Sequence, residues 1–231
     1  MKISGFQKTT LIDYPGKIAA IIFTQGCNFR CGYCHNPELI PINNKQESIS
    51  ETEVFLYLQK RKSILDGVVI TGGEPTVQSD LMELIKGVKK VGLLVKLDTN
   101  GSNPKLLKEL INKKLVDFVA MDIKGKLQDY EQICGFKNTK LIQESIKIIL
   151  ESDVEYEFRT TILPKHHSKN DFDNIGNLLK GAQNYAIQGF RSKTTYLKEF
   201  KNESKFKHTE IDEFAIVLRK YIKNVVIRYN D

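Results

Sequence analysis

Three cysteines near the start of the chain form its most reactive group of side chains. Cys27, Cys31 and Cys34 lie within eight residues, in the spacing C-x3-C-x2-C. Thiolates are the usual ligands of iron–sulfur clusters, and a four-iron cluster normally takes four of them. A loop that supplies three thiolates leaves one iron with an open position, as catalytic metal sites do. The spacing therefore predicts a [4Fe-4S] cluster with room for a further ligand.

Three other interpretations use the same residues. Cys31 to His35 match the C-x-x-C-H motif of c-type haem attachment, and Cys31 with Cys34 match a thioredoxin-type redox pair. The three cysteines and His35 could also close a structural zinc site. Haem attachment needs export, and the N-terminus lacks the apolar segment of a secretory leader. The redox pair gives Cys27 no role, and the adjacent Cys34 and His35 are sterically poor co-ligands.

Length and composition favour one α/β domain. The chain has 231 residues, of which 41% are hydrophobic, enough for a sizeable core. We expect a single domain over 1–231, with a core at about 17–190 and a C-terminal extension at 191–231. The extension carries no recognisable motif, and it could form a cap or dock a partner.

Charge and cysteine usage indicate the compartment and exclude some partners. The net charge is +7, but the lysines are spread among acidic residues, as on a solvated surface. No nucleic-acid motif is present, so we expect no nucleic-acid partner. No apolar run approaches the ~18 residues of a membrane span. The fourth cysteine, Cys134, stands apart, which argues against a disulfide framework and predicts a reducing, cytoplasmic location with Cys134 as an ordinary buried thiol.

The elements that must position the cysteines alternate along the chain. A short edge strand at 2–5 precedes a loop, and 193–207 also reads as a loop. This alternation predicts a parallel sheet with right-handed crossovers, either open and doubly wound or curled into a partial or full barrel. No G-x-G-x-x-G follows a strand, which disfavours dinucleotide binding. Buried strands are predicted at 18–23, 68–71, 93–98, 118–123, 155–162 and 185–190, helices at 51–62, 80–91, 104–113, 138–152, 171–181 and 209–221, and a last strand at 225–227.

Polar residues and glycines recur where these strands end. Each has an ordinary explanation in isolation, such as a turn at 72–75 or at 100–101. Arg159 is harder to dismiss, because a guanidinium in an apolar strand needs an anionic partner. The active sites of parallel barrels lie at the carboxyl ends of the strands. The residues in question are Gly72, Gly73, Glu74, Pro75, Asp98, Asn100, Asp122, Lys124, Arg159 and Gln188.

This order of motifs resembles the radical S-adenosylmethionine (SAM) superfamily. Over about 13–190 it is most similar to the glycyl-radical-enzyme activases, which include pyruvate formate-lyase activating enzyme. Within that group, 10–16 and 34–37 look most like anaerobic ribonucleoside-triphosphate reductase activating proteins. The resemblance implies an α/β fold, a partial (β/α)6 TIM-like barrel of the radical SAM type with parallel strands.

The resemblance also implies roles for the residues. Cys27, Cys31 and Cys34 would hold a [4Fe-4S] cluster, and Tyr33 would pack against the SAM adenine. The others would surround SAM. Gly72 and Gly73 would let the backbone approach its methionyl group, Glu74 and Pro75 would fix the turn, and Gln188 would face the adenine or the substrate channel. A further set of residues would contact the methionyl carboxylate, the amine or the ribose. These contacts would be direct or would pass through a monovalent cation near Asp98 and Asp122. The set is Asp98, Asn100, Asp122, Lys124 and Arg159.

The implied chemistry is a one-electron reaction. A reduced cluster would pass an electron to SAM, and the resulting 5′-deoxyadenosyl radical would remove a hydrogen from a glycine Cα in a partner enzyme. The implied partners are a glycyl radical enzyme and a flavodoxin- or ferredoxin-type electron donor. There is no second cysteine cluster, so extra iron–sulfur domains are not expected. Two alternatives stay open: a radical SAM enzyme acting on a small molecule, similar to 7-carboxy-7-deazaguanine synthase, and a thiol-disulfide oxidoreductase.

Overall fold

A computed structural model describes residues 1–42 and 47–229. The described strands form one eight-stranded sheet in which every strand pairs with its neighbour in sequence. β1 is antiparallel to β2, and all later pairs are parallel. The strands are β1 (Ile3–Thr10), β2 (Ala19–Thr24), β3 (Gly67–Gly72), β4 (Leu94–Thr99), β5 (Phe118–Asp122), β6 (Glu155–Ile162), β7 (Asn184–Gly189) and β8 (Asn224–Arg228).

The helices lie in the crossovers between parallel strands. Ser50 and Asn103 cap two of them, because their side chains accept hydrogen bonds from the N–H groups of Thr52 and Leu106. The described helices are α1 (Glu51–Arg61), α2 (Leu81–Val91), α3 (Pro104–Asn112), α4 (Tyr130–Cys134), α5 (Thr139–Leu150), α6 (Lys169–Leu178) and α7 (His208–Leu218). None of them has the length and apolar content that crossing a membrane requires.

The sheet curls into a partial barrel with a hydrophobic layer on each face. Successive side chains of a strand point to opposite faces. In β2, Ile22 therefore packs in the large cluster beneath the helices, whereas Ile21 joins a smaller cluster on the inner face. Tyr14 packs in this inner cluster, with its ring 5.9 Å from that of Phe118.

The predicted α/β barrel with parallel strands is confirmed, with two differences. The edge strand runs to Thr10 rather than residue 5 and is antiparallel; its exposed middle gave no hydrophobic signal. The five-residue helix α4 was not predicted, because it is too short to show a helical period. After residue 190, the predicted helix and last strand are present as α7 and β8, and β8 pairs in parallel with β7. Residues 230–231 of the predicted extension lie outside the described residues.

Candidate cluster and cofactor site

One cavity at the carboxyl ends of the parallel strands is lined by every residue predicted to bind the cluster or SAM; Pro75, predicted only to fix a turn, does not line it. Its volume is about 370 Å³. The roles of the individual residues stay predictions. Sequence reasoning did not assign several other lining residues, although Thr71 and Thr161 each follow an inward-facing residue by two positions, which is the strand period. The predicted residues on its wall are Cys27, Cys31, Tyr33, Cys34, Gly72, Gly73, Glu74, Asp98, Asn100, Asp122, Lys124, Arg159 and Gln188.

Backbone hydrogen bonds fix the cysteine loop from two sides. The N–H groups of Gly26 and Cys27 donate to the carbonyls of Leu39 and Ile40, at 2.7 and 3.1 Å. From the other side, the N–H of Arg30 donates to the carbonyl of Cys134 at 2.8 Å. A short loop held at both ends keeps its side chains in one arrangement.

Two asparagines connect this loop to the end of β4. Asn100 Nδ2 donates to Asn28 Oδ1 at 2.9 Å, and Asn28 Nδ2 donates to Ser102 Oγ at 2.8 Å. Asn100 Oδ1 in turn accepts from the N–H of Ser102 at 3.0 Å. The Asn100 amide thus orients the cysteine loop, and Asn28 is a positioning residue that the motif search missed.

The thiols lie in surroundings that disfavour their charged forms. Burial raises the pKa of Cys27 to about 12 and also raises that of Cys34. A hydrogen bond with Cys134, followed by burial, raises the pKa of Cys31. The positive charge of Lys124 opposes all three shifts.

This donor set fits an iron–sulfur cluster, since three free thiols face one cavity beside a cation that favours their thiolate forms. Within 1–42 and 47–229, no group of three or more His, Cys, Asp or Glu side chains is arranged around a single ion.

Gly72 and Gly73 are needed where two strand ends meet. A Cβ on Gly72 would lie 2.2 Å from the backbone nitrogen of Thr24, and one on Gly73 would lie 2.1 Å from the carbonyl oxygen of Gly26. Gly72 also has a φ of +126°, which favours glycine. The glycines thus let β3 approach the start of the cysteine loop closely; access of a cofactor to their backbone stays a prediction.

Glu74 joins the turn after β3 to the end of β4. Its Oε1 accepts from Thr76 and from the hydroxyl of Thr99 at 2.7 Å, and its Oε2 accepts from the N–H of Asn100 at 2.6 Å. Burial raises the pKa of Glu74 while these donors lower it. Most of its acceptor capacity is used within the protein, which supports the predicted turn-fixing role.

The charged residues of β4, β5 and β6 form one ladder of ion pairs. Neighbouring strands place Asp122 beside Arg159, whose Nε donates to Asp122 while its Nη2 lies 3.1 Å from Asp98 Oδ2. Lys124 Nζ donates to Asp122 at 2.8 Å, and Lys96 pairs with Asp98. Sequence reasoning missed Lys96, which is only 2% exposed.

The ladder keeps its members charged. Burial raises the pKa of Asp98 and Asp122, but Arg159 with Lys96 or Lys124 outweighs it, so both carboxyl pKa values fall below the usual range. Burial lowers the pKa of Lys124, and Asp122 more than restores it. Because protein cations already neutralise both carboxylates, the predicted monovalent cation near them finds no support in this geometry.

His167 fixes the backbone of Lys124 by a hydrogen bond to its carbonyl. The N–H of Leu163 donates to His167 Nδ1 at 3.1 Å, so Nε2 carries the proton and donates to the carbonyl of Lys124 at 3.0 Å. Burial lowers the pKa of His167 to about 4. The neutral imidazole therefore links the segments that follow β5 and β6.

A segment predicted as a polar loop covers the cysteine loop. Leu197 donates from its N–H to the carbonyl of Gly32 at 2.9 Å, and a Cβ on Gly32 would lie 2.3 Å from the Phe200 ring. The ring of Tyr33 packs against the rings of Phe200 and Phe190, with centroid distances of 6.2 and 6.5 Å. Phe200 is one of several aromatic and apolar residues among the lysines of this segment that could have indicated burial.

Comparison with known proteins agrees with the site. A family model described as the Radical SAM superfamily matches residues 21–179. A Methanocaldococcus jannaschii protein, provisionally named a glycyl-radical enzyme activating enzyme, is 37% identical over 98% of this chain and 95% of its own length. The pyruvate formate-lyase-activating enzyme of Clostridium pasteurianum is 30% identical over 79% of this chain and 78% of its own.

Solved structures show the same fold at low identity. A radical SAM methyltransferase from Sphaerobacter thermophilus superposes with a TM-score of 0.71 at 15% identity, over 96% of this chain and 69% of that one. Streptococcus suis SuiB superposes with a TM-score of 0.63 at 15% identity, over 91% of this chain and 48% of SuiB. The chain thus spans about half the length of SuiB.

Proposed function

The chain belongs to the radical SAM superfamily, and from that premise we propose that it activates a glycyl radical enzyme. The observation that carries the proposal is the 37% identity to an activating enzyme over nearly the full length of both chains. The cavity lined by every residue predicted to bind the cluster or SAM supports it. The expected cofactors are a [4Fe-4S] cluster and SAM, which together would supply a radical able to remove hydrogen from a glycine Cα.

The residues of the chain divide this work between two walls. Cys27, Cys31 and Cys34 are the proposed cluster ligands. At the ends of β4, β5 and β6, the ladder has three cations for two carboxylates, Asp98 and Asp122, so one positive charge is left over. That excess matches one carboxylate, and we assign the ladder to the methionyl end of SAM. Tyr33 is proposed to pack against the adenine, and Gln188 to face the adenine or the substrate channel.

A groove beside the cofactor cavity supports a protein substrate. It has a volume of about 670 Å³, and Asp13, Arg159 and Gln188 are among the residues that it shares with the cavity. Its walls also include Ile12, which like Asp13 follows β1, and Arg228 of β8. β1 and β8 are the two edges of the sheet, so the groove lies in the gap of the open barrel. An extended segment entering there would bring its backbone to the cofactor cavity.

The partner that we propose is anaerobic ribonucleoside-triphosphate reductase. The likeness of 10–16 and 34–37 to activating proteins of that enzyme supports it.

The location that we propose is the cytoplasm. Free thiols at all four cysteines fit this reducing compartment.

We propose an acidic one-electron carrier, of the flavodoxin or ferredoxin type, as the donor. The segment 191–207, which covers the cysteine loop, has six Lys and Arg residues against two Glu. Positive charge beside the cluster would steer an acidic donor to it.

The test is an anaerobic reaction with the full-length chain reconstituted with iron and sulfide. Reductant and SAM should yield 5′-deoxyadenosine, and the Cys27→Ala variant should yield none. Adding candidate glycyl radical enzymes should produce a glycyl radical signal by electron paramagnetic resonance with one of them. Turnover of a free small molecule, with no radical on any protein, would favour the enzyme class similar to 7-carboxy-7-deazaguanine synthase. Failure of the reconstituted chain to bind an iron–sulfur cluster would contradict the proposal.

A further inference from the structure

Leu197 connects the surface of the protein directly to the cysteine loop. Its side chain is 44% exposed, and its N–H donates to the carbonyl of Gly32 at 2.9 Å. The side chain also reaches the loop, since a Cβ on Gly32 would lie 3.1 Å from the Cδ1 atom of Leu197. Gly32 follows Cys31 directly, so at this point a single residue links solvent to a segment that carries a proposed cluster ligand.

The surface around Leu197 has an apolar centre. Tyr196, the residue before Leu197, is 42% exposed, so the two side chains form an exposed apolar pair. Behind them Phe200 is buried and packs on Gly32 and on the ring of Tyr33. An apolar centre with a charged rim is the usual arrangement of a surface that binds another protein.

Exposed lysines supply such a rim. Lys193, Lys198 and Lys201 are exposed, and none of them has an ion-pair partner in the part of the chain that the structure describes. Lys198 and Lys201 lie in a short 3₁₀ helix, where residues three positions apart share a face. Glu199 of the same helix is paired with Lys165 at 2.6 Å, so it does not neutralise these lysines. The apolar pair is therefore bordered by unpaired positive charge.

We infer that this is the surface on which the acidic one-electron carrier docks. The carrier surface consists of Lys193, Tyr196, Leu197, Lys198 and Lys201. None of these residues lines the cofactor cavity or the groove, so a carrier can dock while both are occupied.

The step that this surface serves moves one electron and no atom: the carrier is oxidised by one electron, and the cluster would be reduced by one. Electron transfer slows steeply with distance, so a carrier centred on Leu197 has a short path through Gly32 to Cys31. The lysines attract and orient the acidic face of the carrier. The inference rests on the proposed donor and cluster ligands, but not on the identity of the glycyl radical enzyme.

Chemical cross-linking tests the docking without cluster or SAM. The metal-free full-length chain is mixed with an acidic flavodoxin at low ionic strength and treated with a carbodiimide, which joins lysines to carboxylates in contact with them. Mass spectrometry should find most cross-links at Lys193, Lys198 and Lys201. Cross-links concentrated on other lysines, or no binding of flavodoxin, would overturn the inference.

A charge reversal with a matched control sharpens the binding test. Lys198→Glu/Lys201→Glu should bind flavodoxin about tenfold more weakly, because it places like charges in contact. Lys105→Glu/Lys108→Glu changes two exposed lysines of α3 with the same spacing and the same change of net charge, and it should lose little affinity. An equal loss in both variants would assign the effect to net charge and overturn the inference.

Two reductants separate docking from the later chemistry. With reduced flavodoxin at subsaturating concentration, reconstituted Lys198→Glu/Lys201→Glu should form 5′-deoxyadenosine about tenfold more slowly than the parent. With titanium(III) citrate, which needs no docking surface, the two proteins should form it at the same rate. A variant slowed equally with both reductants would overturn the inference. Flavodoxin-driven cleavage of SAM that gives no glycyl radical on any partner enzyme would contradict the proposed function alone.

Discussion

The two walls of the cofactor cavity shift the pKa values of their acidic groups in opposite directions. The cysteine wall is Cys27, Cys31 and Cys34, and the ladder wall is the set of ion pairs among Lys96, Asp98, Asp122, Lys124 and Arg159. The cysteine wall raises the thiol pKa values, so its groups are neutral until an incoming metal takes their protons. The ladder wall lowers the pKa values of Asp98 and Asp122 by pairing them with cations, so its groups stay charged before any ligand arrives.

The difference shows that the two walls reach their charge states by different means. The carboxylates of the ladder wall are already paired with cations of the protein, whereas the cysteines of the other wall are free thiols. Lys124 stands at the boundary, since it pairs with Asp122 and its charge also favours the thiolate forms of all three cysteines. His167 holds it there through its carbonyl.

The largest expected effect separates Cys31 from Cys134. Cys31→Ala should abolish iron binding, because a loop with two thiolates no longer supports the cluster. Cys134→Ser should bind iron like the parent, since Cys134 does not line the cavity. Iron content after anaerobic reconstitution measures both. Loss of iron in Cys134→Ser would mean that the ligand set includes a fourth thiol.

Removing the central cation should strongly destabilise the ladder wall. Arg159→Met leaves Asp98 and Asp122 each with one cation instead of two, so neither carboxylate is unpaired, and the lost charged hydrogen bond should cost about 1.5–3 kcal/mol. Urea unfolding of the metal-free chain at pH 7 measures this free energy. Arg159→Lys is the matched control and should lose less, because it keeps the charge. Equal stability of the Met variant and the parent would show that Lys96 and Lys124 suffice.

The two walls also differ in how far sequence could predict them. The three cysteines lie within eight residues of the sequence, so their spacing was enough to identify all three proposed ligands. The ladder depends on strand register: Asp122 meets Arg159 because β5 pairs with β6, although they are 37 positions apart. Their presence at strand ends was predictable, but the pairing was not, and Lys96 was not singled out although it lies inside a predicted buried strand.

Other omissions have the same physical origin. Asn28 orients the cysteine loop through Asn100, a contact made across 72 positions. Phe200 covers Tyr33 from a segment whose composition resembled a solvated loop. The buried strands were found because continuous apolar runs are local signals. Contacts between distant polar residues have no local signal.

A pH change should weaken the attachment of Lys124. The folded pKa of His167 is about 4, below the ordinary 6.5, so the unfolded chain binds more protons between these values. Stability from this group is therefore complete above about pH 6.5 and falls as the pH drops toward 4, by about 2 kcal/mol between pH 7 and pH 5. Unfolding free energies at the two pH values measure the loss. His167→Gln should show a smaller loss over the same interval; an equal loss would assign it to other groups.

The smallest effect tests the link between the walls. Asn28→Ala removes its two side-chain hydrogen bonds, to Asn100 and Ser102, and should cost about 1–3 kcal/mol. Asn103→Ala also removes two side-chain hydrogen bonds, the helix cap at the start of α3 and a bond to the carbonyl of Thr76, and should likewise cost about 1–3 kcal/mol. The cap variant should bind iron like the parent, whereas Asn28→Ala should bind iron more weakly at limiting iron, because its cysteine loop is no longer tied to β4. An iron titration that gives the same curve for both variants would contradict this expectation. That result would mean that the backbone hydrogen bonds from Gly26, Cys27 and Arg30 are enough to hold the thiols. Iron binding at the cysteine wall would then not depend on its hydrogen bonds to the end of β4.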